Sequence, residues 1–297
     1  MNIKKILVPT DFSEASTDVI AAAIKLAGHW GVAEVVVMHV VTLHEYDPHS
    51  PEQHFPDVDE IKKQAAAKMM SHLIQRFKTS KISLQCVETR AVAPGAEIVK
   101  YATEQSIDMI LMATHGRRGF SHLLLGSVAD EVVRTAACPI LIVKQPDVEL
   151  DHLERVLVPI DFSDSSEKLL NLAAEITGQF SNATLQLLHV VEEPVYPSFY
   201  MDGAVMMNDW VEDVEQRAKK RMETLVTSLP AKCEVKTYVD RGRVASTICD
   251  FAISHQSQLI IMPTHGLTGL RRMLLGSVTE EVVRYAECSV LTWRGFE

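Results

Sequence analysis

The chain has 297 residues, 47% of them apolar and 23% charged, a length that suits about two domains, each able to bury a core. Twenty-nine basic against 39 acidic residues give a formal net charge of -10, which argues against a nucleic-acid surface, since phosphate contacts need a concentrated positive face. No apolar run is long enough for a membrane helix, and residues 1–9 lack a signal-peptide pattern, so the expectation is a soluble, cytoplasmic protein with no membrane partner.

In chain order, short β-branched runs alternate with amphipathic stretches. Strands are expected over 4–8, 33–41, 82–88, 107–112 and 139–143, with helical patterns over 15–27, 61–77, 96–105 and 126–136. Equivalent strands follow at 155–159, 183–191, 233–239, 258–262 and 289–293. Several are continuously apolar, such as Met109-Ile110-Leu111-Met112 and Leu259-Ile260-Ile261-Met262, which marks strands covered on both faces. Strand–helix alternation of this kind implies an α/β fold with an open, doubly wound parallel sheet. Ligands of such sheets sit beyond the carboxyl ends of the strands.

The second half repeats the first. Ile6-Leu7-Val8-Pro9-Thr10-Asp11-Phe12-Ser13 returns as Val156-Leu157-Val158-Pro159-Ile160-Asp161-Phe162-Ser163, and His39-Val40-Val41 as His189-Val190-Val191, each 150 positions later. Residues 110–134 and 260–284 share 15 identities in 25 places, far above the one or two that average composition gives by chance. A period this long is a duplicated domain. The seam lies in a short polar stretch around Pro146 and Asp147, giving domains 1–147 and 152–297. Five cysteines (86, 138, 233, 249 and 288) form no CxxC pair and read as small buried hydrophobes.

Three segments fall at strand carboxyl ends. The first is Pro9-Thr10-Asp11, with Asp161 in the second copy. Its aspartate can accept a hydrogen bond from a ribose hydroxyl, or serve as a helix-entry residue with Ser13 and Ser163 as caps. The second runs from Met112 through Ala113-Thr114-His115-Gly116, nine residues, then Gly126-Ser127-Val128. Its copy is Pro263-Thr264-His265-Gly266, nine residues, then Gly276-Ser277-Val278. The glycines would let backbone approach a ligand, and the N–H groups of the following helix would meet an anion. Against this, Ser127 with Asp130 and Ser277 with Glu280 match a capping box, so both serines can simply close a helix end. Arg117, Arg118, His122, Arg271 and Arg272 in the nine-residue loops either pair with phosphates or stay solvated, and His115 and His265 read as loop-orienting residues.

The third segment carries His44, His49 and His54. Three histidines can ligate zinc, but five-residue spacing fits no standard pattern and the second half has no equivalents, so a surface lid is the preferred reading. Met201, Met206, Met207 and Trp210 form an apolar cluster in the corresponding loop, read as packing.

The motifs resemble the universal stress protein family over nearly the whole chain. Its nucleotide-binding members carry glycine, two residues, glycine, nine residues, glycine, then serine or threonine, with an aspartate after strand one and a valine ending strand two. Gly116, Gly126 and Ser127 match, as do Gly266, Gly276 and Ser277; Asp11, Asp161, Val40 and Val190 stand at the other two positions. The resemblance implies two tandem Rossmann-like (adenine nucleotide alpha hydrolase-like) domains, each with a five-stranded parallel sheet. It also implies bound ATP or AMP, with Mg2+ as a companion, a stress-tolerance role, and an intrachain pseudo-dimer through 139–143 and 289–293, with a homodimer as a further option. The first glycine of the pattern is Ala113 in one half and Pro263 in the other. Proline has no N–H to donate, which favours the first half as the nucleotide site. Weak ATP hydrolysis and a scaffold without nucleotide are the alternatives; the Walker lysine pattern and a dedicated base are absent from the sequence.

Overall fold

The structure is a computed structural model that describes residues 3–42, 56–77, 82–114, 125–144, 150–192, 204–230, 233–264 and 275–294. It divides into two compact units, Asn2–Asp151 and His152–Glu297.

In the first unit the elements run β1 (Lys5–Pro9), α1 (Glu14–Trp30), β2 (Glu34–Thr42), α2 (Pro56–Phe77), β3 (Ser83–Ala91), α3 (Pro94–Glu104), β4 (Met109–Ala113), α4 (Ser127–Thr135) and β5 (Ile140–Val143). The strands are parallel, in the order β3-β2-β1-β4-β5. Consecutive residues Ile6, Leu7 and Val8, and Met109, Ile110 and Leu111, are all 0% exposed, as the continuous apolar runs anticipated. Right-handed crossovers put α1 and α2 on one face and α3 and α4 on the other. The chain leaves β1 toward β2 but returns from β3 to β4 on β1's other side. The order reverses between β1 and β4, so a crevice opens at their carboxyl ends.

Local chemistry explains the element ends. The Ser13 hydroxyl caps α1 by accepting from the Ser16 N–H, and Gly31 closes it in the left-handed region at φ 67°. Between those ends α1 buries Val19, Ile20, Ala23, Leu26 and Ala27 in a helical stripe against the sheet. Burying each of its larger side chains contributes about 1.5–3 kcal/mol. Strand β4 begins two residues later than the apolar pattern suggests, and Asp108 just before it is tied to β1 through both backbone and side chain: its N–H donates to Lys5 C=O at 3.1 Å. Its Oδ2 accepts from the Lys4 and Lys5 N–H groups at 2.8 and 2.9 Å, fixing β4 against the start of β1. Strand β3 runs on to Ala91, since it stays paired with β2 as far as Thr42.

The second unit repeats the plan: β6 (Arg155–Pro159), α5 (Asp164–Thr177), β7 (Thr184–Val191), α6 (Ala204–Ser228), β8 (Glu234–Arg241), α7 (Val244–Ser254), β9 (Leu259–Pro263), α8 (Ser277–Tyr285) and β10 (Ser289–Trp293). Its parallel order is β8-β7-β6-β9-β10. Gln258 Oε1 replaces the Asp108 carboxylate, accepting from the Glu154 and Arg155 N–H groups. The expected α/β architecture with two doubly wound domains is present in every strand. Among the described residues, no helix is long and apolar enough to cross a membrane.

Candidate functional site

At the end of β1 the chain turns away from the sheet through Thr10, Asp11 and Phe12. Asp11 Oδ1 accepts from both the N–H and the hydroxyl of Ser13, at 3.0 and 2.6 Å. The Thr10 hydroxyl is buried and engaged with the Phe12 N–H and the Ser16 hydroxyl. Phe12 sits at φ 63°, strained for a residue with a side chain, and its ring lies 4.4 Å from that of His39. The helix-entry role weighed for Asp11 is therefore real. A carboxylate has about four acceptor sites, so the role leaves Asp11 able to accept a ligand hydroxyl as well.

The second copy is nearly superimposable in its bonding. Asp161 Oδ1 accepts from the Ser163 N–H and hydroxyl at 2.9 and 2.6 Å, and Phe162 has φ 60° with its ring 4.5 Å from that of His189. Ile160 replaces Thr10 there and loses the hydroxyl contacts.

Across the crevice, β4 ends at Ala113 and α4 begins at Ser127. The capping-box reading of the serines is overturned. The N-caps are Gly126 and Gly276, with no side-chain cap on either helix, while Ser127 and Ser277 are exposed first helical residues. The first intrahelical bonds run from Asp130 N–H to Gly126 C=O and from Glu280 N–H to Gly276 C=O, both 2.9 Å. The N–H groups of Ser127, Val128 and Ala129, and of Ser277, Val278 and Thr279, thus precede any intrahelical acceptor, with the positive end of the helix dipole behind them. Each cap glycine donates its N–H to the residue after the strand, Gly126 to Thr114 C=O and Gly276 to Thr264 C=O, both at 2.8 Å. This hydrogen bond pins the helix start to the strand end.

Ile110 N–H donates to Pro139 C=O on the β5 side, and amides alternate sides along a strand, so the Ala113 N–H faces β1. In the second half Thr264 N–H bonds to Trp293 C=O on the β10 side, so the Pro263 nitrogen faces β6. The departure from the glycine pattern leaves no N–H at this position on the β6 side of β9. Thr279 adds to the difference: its hydroxyl donates to the Pro263 carbonyl at 2.9 Å, where the first half has Ala129. Arg221 on α6 also secures the second-half turn. Its guanidinium lies 4.5 Å over the Phe162 ring, donates to the Phe162 carbonyl at 3.1 Å and pairs with Glu167 at 3.2 Å.

Pro9 closes β1, Met112 is the buried next-to-last residue of β4, and Val40 and Val190 are half-buried near the ends of β2 and β7. Gly116, Gly266, His115, His265, the loop arginines, His122, and His44, His49 and His54 lie outside the described residues, as do Met201 and the side chains of Met206, Met207 and Trp210. Among the described residues no three His, Cys, Asp or Glu side chains gather to hold a metal. Burial pushes the Cys86 and Cys233 thiols up and Cys138 to about 11, so these three are poor nucleophiles at neutral pH. Two residues with a part in the site, His39 and His189, have no role that the sequence alone assigns. Their recurrence 150 positions apart was the available signal.

Comparison with known proteins agrees with this plan. A sequence model of the universal stress protein family matches residues 2–144 and again 152–294. A universal stress protein of Methanocaldococcus jannaschii is 34% identical over 149 residues, spanning 49% of this chain and 85% of that protein. One from Mycobacterium tuberculosis is 28% identical over 200 residues, 63% of this chain and 62% of the other. Among solved structures, a universal stress protein from Archaeoglobus fulgidus shares the fold, with a TM-score of 0.69 and 22% identity over 99% of this chain and 97% of that one.

Proposed function

Because this chain belongs to the universal stress protein family, matched once in each half, we propose that it binds an adenine nucleotide, ATP or AMP, in the first-half crevice. In this reading the phosphates rest on the N–H groups of Ser127 and Val128, helped by the helix dipole and by the Ala113 N–H. Asp11 accepts a ribose hydroxyl, and the end of β2 at Val40 borders the base. Pro9, Thr10 and Met112 shape the walls, and Gly116 supplies close backbone approach. The observation that carries the proposal is the glycine-led start of α4, pinned by the Gly126–Thr114 bond at the carboxyl end of β4.

The second half keeps the turn and the pinned helix but has no amide donor at Pro263, so Asp161, Val190, Gly266, Gly276, Ser277 and Val278 form a weaker site. An Mg2+ ion would be carried on the phosphates, with Asp11 as the carboxylate that could help to hold it. Binding, rather than turnover, accounts for what is present, and a regulatory role in stress tolerance follows from the family. Calorimetry with ATP tests the assignment. Gly116→Glu is expected to abolish binding, while Gly266→Glu leaves affinity within about threefold of the unmodified chain. Equal losses would refute the asymmetry.

A further inference from the structure

We propose that His39 is a positioning residue of the first-half site: its imidazole takes the rung of the β1–β2 ladder that would otherwise tie down Val40, leaving the Val40 N–H turned toward the crevice. What enters the crevice rests on the nucleotide reading above; the geometry does not.

Pro9 pairs with Met38, so Thr10 falls opposite His39. In a parallel pair such a residue donates to the residue before its partner and accepts from the residue after it. The first bond is present, Thr10 N–H to Met38 C=O at 2.8 Å. The second would run from Val40 N–H to Thr10 C=O. Instead the Thr10 carbonyl accepts from His39 Nδ1 at 2.8 Å, and among the described residues no backbone hydrogen bond joins Val40 to Thr10. A carbonyl has no proton to give, so Nδ1 carries it. Phe12, held at φ 63° with its ring 4.4 Å from the imidazole, braces the ring in that orientation.

The second half repeats every part. Ile160 N–H donates to Leu188 C=O at 2.8 Å, His189 Nδ1 donates to Ile160 C=O at 2.7 Å, and Phe162 braces His189. One hydrogen bond has replaced another, so the exchange brings the fold little net stability. What it changes is position: β1 is released into its turn one residue earlier, and the amide beyond it stays unladdered.

Amide hydrogen exchange tests this without any ligand. In the unmodified chain the Val40 and Val190 amides should exchange at least about tenfold faster than the ladder-bonded Met38 and Leu188 amides, and the nitrogen shifts of His39 should report protonation at Nδ1. Val40 as protected as Met38, or protonation at Nε2 alone, overturns the proposal. Two variants separate the donor from the ring. His39→Phe keeps the aromatic brace but not the donor: Val40 should become more protected and ATP affinity should fall about fivefold, the worth of one hydrogen bond. His39→Asn, whose amide N–H falls near the Nδ1 position, should restore both. Asn behaving like Phe would refute the positioning role. Should the unmodified chain bind no ATP, the nucleotide reading fails by itself, and the exchange pattern still decides the role of His39.

Discussion

Gly126→Ala separates folding from binding at the proposed phosphate cradle. Gly126 has φ -63° and ψ 148°, a conformation open to any residue, so no left-handed backbone requires glycine there. A methyl built on it would meet the Thr114 carbonyl oxygen at 3.2 Å. That is tight but not a clash, and a shift of a few tenths of an ångström relieves it. Alanine lowers the entropy of the unfolded chain, which stabilises by about 0.4–1 kcal/mol, and the crowded contact costs a similar amount. The net change in stability should lie within about 1 kcal/mol, or about 2–4 °C in Tm for a unit of this size. Binding should respond far more, because the same carbonyl accepts the Gly126 N–H at 2.8 Å and sets the width of the cradle. Opening it misplaces the Ser127 and Val128 amides, with an expected loss of about tenfold in ATP affinity, or 1.4 kcal/mol. Thermal denaturation and calorimetry on one preparation measure both quantities. A Tm lowered by much more than 4 °C with unchanged affinity would show that the glycine serves folding and refute the reasoning.

Two further predictions concern other parts of the chain. Ala113→Pro should remove the first-half donor and lower ATP affinity at least about tenfold, whereas Pro263→Ala should strengthen any second-half binding; titration of both variants checks this. Arg241, at the end of β8, hydrogen-bonds Glu215 on α6 and holds its carboxyl below the usual range, with Lys219 adding to the effect. A carboxyl depressed in the folded state contributes stability above its unfolded pKa and loses it as pH falls through the folded one. Glu215→Gln should therefore melt lower than the unmodified chain at pH 7, by an amount consistent with about 0.2–1 kcal/mol for a partly exposed pair, and the two curves should converge under acid. A gap that widens as pH falls would refute the assignment.

The strand plan was legible because β-branched, continuously apolar runs have few alternatives in a doubly covered sheet. Ile6–Val8 and Met109–Leu111 are examples that came out fully buried. The duplication was equally legible, since it needs only identity at a fixed offset. The capping of α4 was not. Ser127-Val128-Ala129-Asp130 satisfies a capping-box pattern, yet the helix starts one residue earlier than the pattern assumes, and only the Gly126–Thr114 bond reveals it. Asp108 shows a similar limit: in sequence it reads as the start of a strand, while its carboxylate spans more than a hundred residues to hold Lys4 and Lys5. His39 escaped a role because a side chain that replaces a ladder rung leaves no local signature. Such features depend on register between distant strands, which periodicity does not encode. The Pro263 substitution was visible at once, but its consequence needed the alternation of amides along β9 to show which side lost its donor.

A nucleotide site in the first half and a weakened one in the second form the central claim. Calorimetric titration of the unmodified chain with ATP tests it most directly. One strong site per chain is expected, lost in Gly116→Glu and kept in Gly266→Glu; two equal sites, or none, would contradict it.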